Sequence, residues 1–470
     1  MKKKMFTMLS AIFIAGGLNA QIDINATQTV KNLYGNLKEV AWDTKGILFG
    51  QEFFNSLSWP NNIHEDENFS DIKSVTGKHP AVLGQDFLFY LTKSSDERRK
   101  HKEAALKAYN LGCVIEFCNH LNSKNHSGYL YETSDKYLMF NIGNQTDTYG
   151  EFTWFKGELD KMVSVINELN IPIVVRPFHE MNGNWFWWGS NAYGGAVAYK
   201  KMYQFTVDYI KARTNNVLFS WAPNYPFDIT YYPGNTYVDI VGLDLYDPGE
   251  INRPSFSTMV SQLEAVSDFA WNNNKVPVFA ETGNRVSNPN NYPWWWYNVN
   301  QNIQGSNRAF KVAWMLTWIN MDWGNPPYVA HNGSSTDAKI GLNDFVNMST
   351  ILMQPDAATR NMYNSSTRTS KIRATTKSVE METESKTISL SPISVYPNPV
   401  KEGFFTVNLV SLLGKSVNVI VLDILGNEVM RKNVKDVPIL NVPVSELSKG
   451  VYLVKISSED WNETQKIIVQ

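Results

Sequence analysis

The chain has 470 residues, of which 43% are hydrophobic, and a formal net charge of -2. The length exceeds one average domain, and the hydrophobic share is that of an ordinary globular protein, which argues against a disordered chain. Lysine and arginine form no basic stripe, so we expect no nucleic-acid partner. Tryptophan is the outlier with 15 residues, since indole rings offer flat surfaces on which ligands such as sugars stack.

The first 20 residues have the pattern of a secretory signal peptide. Lysines at positions 2–4 precede an apolar stretch at 5–18, and Ala20 supplies a small residue at the expected cut. The stretch is shorter than the roughly 20 residues that a membrane span needs. We therefore predict a signal peptide over residues 1–20, no transmembrane segment, and a secreted or cell-surface protein.

Short apolar runs alternate with amphipathic segments over residues 21–362, which we predict to be one domain. Eight of these runs are predicted to be strands: 46–50, 81–87, 113–118, 172–178, 217–221, 238–245, 277–280 and 312–318. Segments between them, such as 156–169, 199–211 and 256–272, carry apolar residues at helical spacing. Repeated alternation of this kind is typical of a (β/α)8 barrel of the α/β class. The alternative is an open doubly wound sheet, although no glycine-rich phosphate turn follows the first strand.

Two cysteines, Cys113 and Cys118, lie in the third predicted strand. Their odd spacing places the side chains on opposite faces of the strand. We predict two buried free thiols, with a disulfide left open for an oxidising compartment; zinc-site spacing is absent.

The composition changes near residue 363. Serine, threonine, lysine and glutamate dominate 364–387, which predicts a linker over 363–390. Alternating strand patterns return at 404–410, 416–422, 451–456 and 465–469. These patterns predict a small all-β sandwich domain over residues 391–470.

Two glutamates end strands that face each other across the mouth of the predicted barrel. Glu180 ends the fourth strand in Arg-Pro-Phe-His-Glu, and Glu281 ends the seventh in Phe-Ala-Glu-Thr-Gly. Strand alternation predicts that Arg176, Phe178 and Glu180 share one face, at the end of the barrel where catalytic groups lie. Two carboxylates across one glycosidic bond would make a glycoside hydrolase, retaining or inverting according to their separation. An Arg176–Glu180 ion pair that only rigidifies the mouth is the alternative.

The run Arg-Pro-Phe-His-Glu, with Trp-Phe-Trp-Trp-Gly soon after it, resembles the acid/base motif of glycoside hydrolase family 26, and Phe-Ala-Glu-Thr-Gly resembles its nucleophile motif. The resemblance spans about residues 32–354. It implies a retaining mannan endo-1,4-β-mannosidase that acts on mannan, glucomannan, galactomannan or manno-oligosaccharides. It also implies Glu180 as acid/base and Glu281 as nucleophile, with no cofactor and no metal.

The same resemblance implies supporting roles for further side chains. Arg176 and Tyr246 are expected to orient the nucleophile. Five residues are expected to bind substrate: His120, His179, Trp185, Tyr246 and Trp318. Three other histidines are expected to be surface or loop residues: His79, His101 and His126. A place in the cleft is left open for His331 and for the tryptophans at 294–296.

The C-terminal segment resembles the type A sorting domain of the type IX secretion system, through Val395-Tyr-Pro-Asn-Pro-Val and the closing Lys-Ile-Ile-Val-Gln. The resemblance implies contact with the secretion machinery and translocation across the outer membrane. A carbohydrate-binding module is the rival interpretation, but Trp461 is the one tryptophan in this segment. Two other functions stay open for the barrel: hydrolysis of β-1,3-1,4-glucan or xylan, and mannan binding without catalysis.

Overall fold

The structure is a computed structural model that describes residues 21–365, except 44–45, 64–67, 127–130, 132 and 323–325, and much of the C-terminal part. There it describes 394–396, 400, 403–409, 412, 415–424, 426–435, 437, 439–445, 447–459 and 461–470. The predicted signal peptide and the predicted linker beyond residue 365 lie outside the described residues. The described residues form two compact units, one up to residue 365 and one from residue 394.

Eight parallel strands form a closed ring in the N-terminal unit. They are β1 (Ile47–Glu52), β2 (Val82–Asp86), β3 (Val114–Asn119), β4 (Ile173–Pro177), β5 (Val217–Trp221), β6 (Ile240–Val241), β7 (Val276–Pro277 and Phe279–Thr282) and β8 (Trp314–Thr317). Each strand pairs in parallel with the next, and β8 pairs with β1. The eight predicted strands and the predicted (β/α)8 barrel are confirmed.

Helices cover the outside of this ring and one end of it. Those in the described residues are α1 (Gln28–Asp43), α2 (Asp71–Thr76), α3 (Phe87–Thr92), α4 (Ser95–Asn110), α5 (Leu138–Gly143), α6 (Glu151–Leu169), α7 (Gly195–Lys211), α8 (Phe256–Asn272), α9 (Trp295–Gln304), α10 (Thr336–Val346) and α11 (Gln354–Arg360). Short strands at Leu57–Ser58 and Asn62–Ile63 form a hairpin after β1, and Ile351–Leu352 pairs with β1. None of the described helices is long and apolar enough to cross a membrane.

Two layers of apolar side chains hold the barrel together. Inward-facing strand residues such as Leu48 and Val114 pack against α1, whose Leu33 and Leu37 are fully buried. Because α1 leads into β1, it covers the N-terminal end of the ring. The outward-facing strand residues pack against the surrounding helices. The opposite, C-terminal end therefore remains for the loops that carry functional side chains.

Some polar and sulfur-containing residues are buried in these layers. Cys113 and Cys118 are buried free thiols, which confirms that prediction. His101 is on α4 and only 2% exposed, so its prediction as a surface or loop residue is wrong; His79 lies in the loop before β2, as predicted, but is buried. His101 faces inward because α4 packs that side against the barrel, where the imidazole contacts the ring of Phe53 at 5.2 Å.

The C-terminal unit is a sandwich of two antiparallel sheets. One sheet contains β9 (Ser394–Tyr396), β10 (Phe404–Asn408) and β13 (Ile439–Pro443); the other contains β11 (Ser416–Leu422), β12 (Glu428–Lys435), β14 (Gly450–Ser458) and β15 (Trp461–Val469). Side chains such as Phe405, Val419 and Ile456 from both sheets form one buried core. The predicted all-β sandwich is confirmed, and the alternation did not identify β9, β12 or β13.

Candidate active site

The backbone turns sharply where β4 meets the mouth of the barrel. The strand ends at Pro177, and both Phe178 and Glu180 have positive φ, of 52° and 53°. Strand alternation stops there, so Phe178 packs outward near Phe155 of α6, at 6.0 Å between ring centroids, whereas Arg176 points into the barrel. The prediction that Arg176, Phe178 and Glu180 share one face is therefore wrong for Phe178. Such strained backbone is common at functional sites.

The tryptophan-rich run after Glu180 divides into two roles. Trp187 and Trp188 are 2% and 0% exposed. The indole N–H of Trp188 donates to the carbonyl of His179 at 2.9 Å, and that of Trp187 donates to a carbonyl after β3 at 2.8 Å. Half-buried Trp185 instead donates its Nε1–H to Oε2 of Glu180 at 2.8 Å. Two rings thus hold the loop in place, and the third contacts the Glu180 carboxyl group.

Glu281, on β7, is held by two donors. The Tyr246 hydroxyl donates to Oε2 at 2.8 Å, and Nη2 of Arg176 donates to Oε1 at 2.6 Å. His179 lies next to them, with Nε2 3.8 Å from Oε1. Burial and the nearby Glu281 raise the pKa of Tyr246 well above its usual value, so its phenol keeps the proton that it donates. The Glu281 carboxylate is therefore fixed in one orientation.

Arg176 lies inside the barrel among several acidic groups and is 1% exposed. Its Nε donates to Glu116 at 2.5 Å, and its Nη1 lies 3.3 Å from Asp244. Burial by itself would lower the pKa of Arg176. The negative charges of Glu116, Glu281 and Asp244 have the larger effect, and the pKa of Arg176 is raised well above its usual value. Within the described residues, the ion pairs of Arg176 do not include Glu180. The alternative of an Arg176–Glu180 pair is therefore not supported.

Glu52, on β1, completes this acidic cluster. Its carboxyl oxygen is 3.9 Å from Arg176, and neither of its oxygens has a hydrogen-bond partner among the described residues. Burial, followed by the nearby Glu116, raises the pKa of Glu52 well above its usual value. Glycine at position 84 leaves room for Glu52, because a Cβ there would overlap the Glu52 carboxyl group in its present position. A protonated Glu52 leaves the charge of Arg176 available to Glu281.

Glu180 has a different electrostatic environment. Burial and then the charge of Glu281 raise the pKa of Glu180 to about 7, against the opposing hydrogen bond from Trp185. A carboxyl group with this pKa can both donate and accept a proton near neutral pH. Two carboxyl groups at one mouth, one proton-holding and one fixed by a cation, are suited to acid/base and nucleophile roles respectively.

One wall of the mouth is formed by His120, His179 and Trp318. The His120 ring lies 4.5 Å from the His179 ring and 5.4 Å from that of Trp318, between centroids. Nδ1 of His120 is 2.6 Å from Oδ2 of Asp86, at the end of β2. Burial would lower the pKa of His120, but Asp86 overcomes it and the pKa is raised. The structure thus brings these three predicted binding residues together beside Glu281.

Several residues of the site were not identified from the sequence: Glu52, Asp86, Glu116 and Asp244. Each carries an acidic side chain in or just after an apolar strand, which is a signal that could have revealed it. Trp295 and Trp296, for which a place in the cleft was left open, are buried below a loop. Their indole N–H groups donate hydrogen bonds to the carbonyls of Pro248 and Tyr328.

Two groups of three side chains bring possible metal ligands within 4.8 Å of one another: Asp86, Cys118 and His120; and His179, Asp244 and Glu281. In the first, burial raises the pKa of Cys118 well above its usual value, so the thiol is a poor ligand. In the second, both Asp244 and Glu281 already form ion pairs with the Arg176 guanidinium. A bound cation would have to displace it, and the absence of a metal remains a prediction.

A (β/α)8 barrel with two glutamates in contrasting environments at its C-terminal mouth is the arrangement typical of glycoside hydrolases. Residues 22–319 match the model of glycosyl hydrolase family 26, and the chain belongs to this family. Residues 394–470 match the secretion system C-terminal sorting domain, which directs the chain to the cell surface or out of the cell. Both resemblances found in the sequence are confirmed.

Similar proteins carry consistent names. A mannan endo-1,4-beta-mannosidase of Bifidobacterium adolescentis is 26% identical over 70% of this chain and 35% of its own length. One of Caldalkalibacillus mannanilyticus, named mannan endo-1,4-beta-mannosidase A and B, is 30% identical over 52% of this chain and 50% of its own length. The chain therefore spans a third to a half of these two relatives. The catalytic domain of a Bacillus sp. JAMB-750 GH26 endo-beta-1,4-mannanase has a TM-score of 0.65 at 27% identity, covering 73% of this chain and 96% of that one.

Proposed function

We propose that this chain is a retaining, endo-acting β-1,4-mannanase with Glu180 as acid/base and Glu281 as nucleophile. The observation that carries the proposal is the contrast between the two carboxyl groups. Glu281 is held by Arg176 and Tyr246 at 2.6 and 2.8 Å, whereas burial and Glu281 raise the pKa of Glu180 to about 7. The names of the relatives support mannan as the substrate.

The proposed reaction has two steps. A Glu281 oxygen attacks the anomeric carbon while Glu180 protonates the departing glycosidic oxygen, which breaks the glycosidic bond and forms a glycosyl ester on Glu281. Glu180, now a carboxylate, then takes a proton from water as that water attacks the same carbon and breaks the ester. Both residues return to their starting protonation states, and the net configuration is retained.

The remaining side chains have supporting roles in this proposal. Arg176 and Tyr246 hold the oxygens of Glu281 in line for attack, since a small misplacement of a nucleophile is costly. His120, His179 and Trp318 form a wall for the sugar to be attacked. Trp185, which is hydrogen-bonded to Glu180, lies beside the departing sugar in this proposal.

Substrate specificity is tested by incubating the full chain with mannan, glucomannan, galactomannan, lichenan and xylan. We expect manno-oligosaccharides of several lengths from the three mannans. Glu281→Ala should abolish cleavage, and Glu168→Ala, at an exposed glutamate on α6, should keep it. Cleavage of lichenan or xylan alone, or cleavage that survives Glu281→Ala, would contradict the proposal.

The sorting domain supports a further proposal, that the C-terminal unit contacts the type IX secretion machinery. Deleting residues 394–470 in a host with that system should leave the enzyme inside the cell, as measured by immunoblotting of medium and cell fractions. Unchanged export of the shortened chain would contradict it.

A further inference from the structure

A surface cavity of about 270 Å³ lies between α1, α8 and the segment that leads into β8. Trp42 near the end of α1, Trp271 near the end of α8, and Lys311 before β8 line it. In a (β/α)8 barrel, helices end and strands begin at the N-terminal end. The cavity therefore lies at the end of the barrel opposite Glu180 and Glu281, where catalytic groups are not found.

Trp271 gives the cavity an exposed aromatic surface, since 63% of the residue is accessible to solvent. A single exposed apolar side chain is ordinary by itself. Here, however, the ring contacts half-buried Trp42 edge-on, at 4.9 Å between centroids and 75° between planes. This contact favours one orientation of the Trp271 ring, in which the ring offers a flat surface beside the cavity.

The polar groups of the cavity are paired with one another. Nε of Arg308 donates to Oδ1 of Asp268 at 2.8 Å, and both side chains are about half exposed, at 55% and 45%. Nζ of Lys311 donates to the carbonyl of Trp42 at 2.7 Å, at the end of α1. Glu264 does not line the cavity, but its carboxylate lies 3.6 Å from Arg308 and adds a second negative charge nearby. The cavity thus offers hydrogen-bond donors and acceptors with balanced charge.

This balance selects a ligand class. An anion would have to compete with Asp268 for Arg308, and it would meet the negative ends of the α1 and α8 helix dipoles. A neutral ligand with many hydroxyl groups and one flat apolar face avoids both costs. The volume is slightly below the roughly 300 to 1,000 Å³ of pockets for drug-sized ligands, which suits one or two sugar rings.

We propose that Trp271 and the Arg308–Asp268 pair form a second, non-catalytic polysaccharide-binding site that holds the chain on insoluble mannan. A sugar ring stacks on the Trp271 indole, and its hydroxyl groups form hydrogen bonds with Arg308, Asp268 and Asn307, which also line the cavity. The choice of mannan rests on the proposed function, whereas the neutral saccharide chemistry rests on the cavity itself.

The test measures depletion of the full chain from solution by insoluble mannan, cellulose and xylan, with Glu281→Ala present to prevent hydrolysis. Adding Trp271→Ala should weaken apparent affinity for mannan roughly three- to tenfold, the effect of losing one aromatic stacking contact. Trp271→Phe, which keeps a ring, should lose less. Ile340→Ala, at a 45% exposed position on α10, should bind like the parent.

A second measurement separates this site from the catalytic one. In the active chain, Trp271→Ala should slow the hydrolysis of insoluble mannan by a similar factor. The same variant should hydrolyse soluble mannotetraose at the parental rate. Unchanged depletion by mannan, or equal losses on both substrates, would overturn the proposal. Depletion by cellulose or xylan alone would overturn the choice of mannan. If the parent cleaves neither insoluble mannan nor mannotetraose, the proposed function is contradicted instead, and the depletion comparison still decides the binding site.

Discussion

At the scale of single residues, the chemistry depends on how two glutamates are surrounded. The Glu281 carboxylate accepts hydrogen bonds from the Arg176 guanidinium and the Tyr246 hydroxyl, which hold it in one orientation. Glu180 is buried beside that carboxylate and receives one indole N–H, and its pKa is raised to about 7. In the proposed mechanism, the same type of side chain therefore has two different roles because its neighbours differ.

The pKa of Glu180 predicts the alkaline limb of the pH profile. Because Glu180 must be protonated to donate, kcat/KM should fall as pH rises through about 7. The Trp185 hydrogen bond favours the carboxylate and lowers this pKa, so Trp185→Phe should raise the pKa and move the limb to higher pH. Trp294→Phe, which removes an indole bond to Asp344 instead, is the control. A limb that stays in place or moves to lower pH in Trp185→Phe would refute the assignment.

Glu116 is predicted to act as a positioning residue through Arg176. Glu116→Gln keeps the size of the side chain but weakens its hold on the guanidinium, so Arg176 can shift from Glu281. We expect kcat to fall about 10- to 100-fold, with a smaller change in KM. Steady-state kinetics on mannohexaose would show this split. Glu168→Gln on the outer surface should match the parent, and an effect of Glu116→Gln on KM alone would contradict the role.

At the scale of elements, periodicity predicted the strands well and the end of β4 poorly. Apolar runs in the sequence identified all eight barrel strands, because strands buried on both faces consist mostly of apolar residues. Phe178 could not be oriented in this way, since its positive φ ends the alternation and turns the ring toward α6. The indole of Trp187 bonds to a residue far away in the chain, and that of Trp188 bonds across a loop to His179. Periodicity within a short segment of sequence does not reveal such contacts.

The helix α1 is predicted to stabilise the barrel from its N-terminal end. Leu37 is fully buried there against the inner strand residues. Leu37→Ala should lower the free energy of unfolding by about 2 to 5 kcal/mol, because it removes apolar contacts and leaves a cavity. Urea unfolding followed by tryptophan fluorescence measures this. Ile24→Ala, at an 84% exposed position, should change it little; equal effects of the two substitutions would contradict the account.

At the scale of the whole molecule, the chain combines a barrel and a sandwich with separate cores. The sequence predicted both units from periodicity, and short motifs indicated their families. It did not reveal the acidic cluster around Arg176, because Glu52 and Glu116 lie on two different strands, Asp244 follows a third, and they meet only inside the closed ring.

Separate cores predict that catalysis does not need the sorting domain. A chain that ends at residue 365 should have the same kcat/KM on mannohexaose as the full chain, within about twofold, when both are purified. Each unit buries its own apolar residues, so the barrel keeps its packing. A large loss of kcat/KM in the shortened chain, with an intact circular dichroism spectrum, would contradict this independence.

The central claim is that Glu281 attacks and Glu180 transfers protons, so that the sugar configuration is retained. Proton NMR of mannohexaose during the first minutes of hydrolysis, before mutarotation, reads the anomer of the newly formed reducing end. The account predicts β-anomer first, with α-anomer appearing later by mutarotation. Initial release of α-anomer would contradict it.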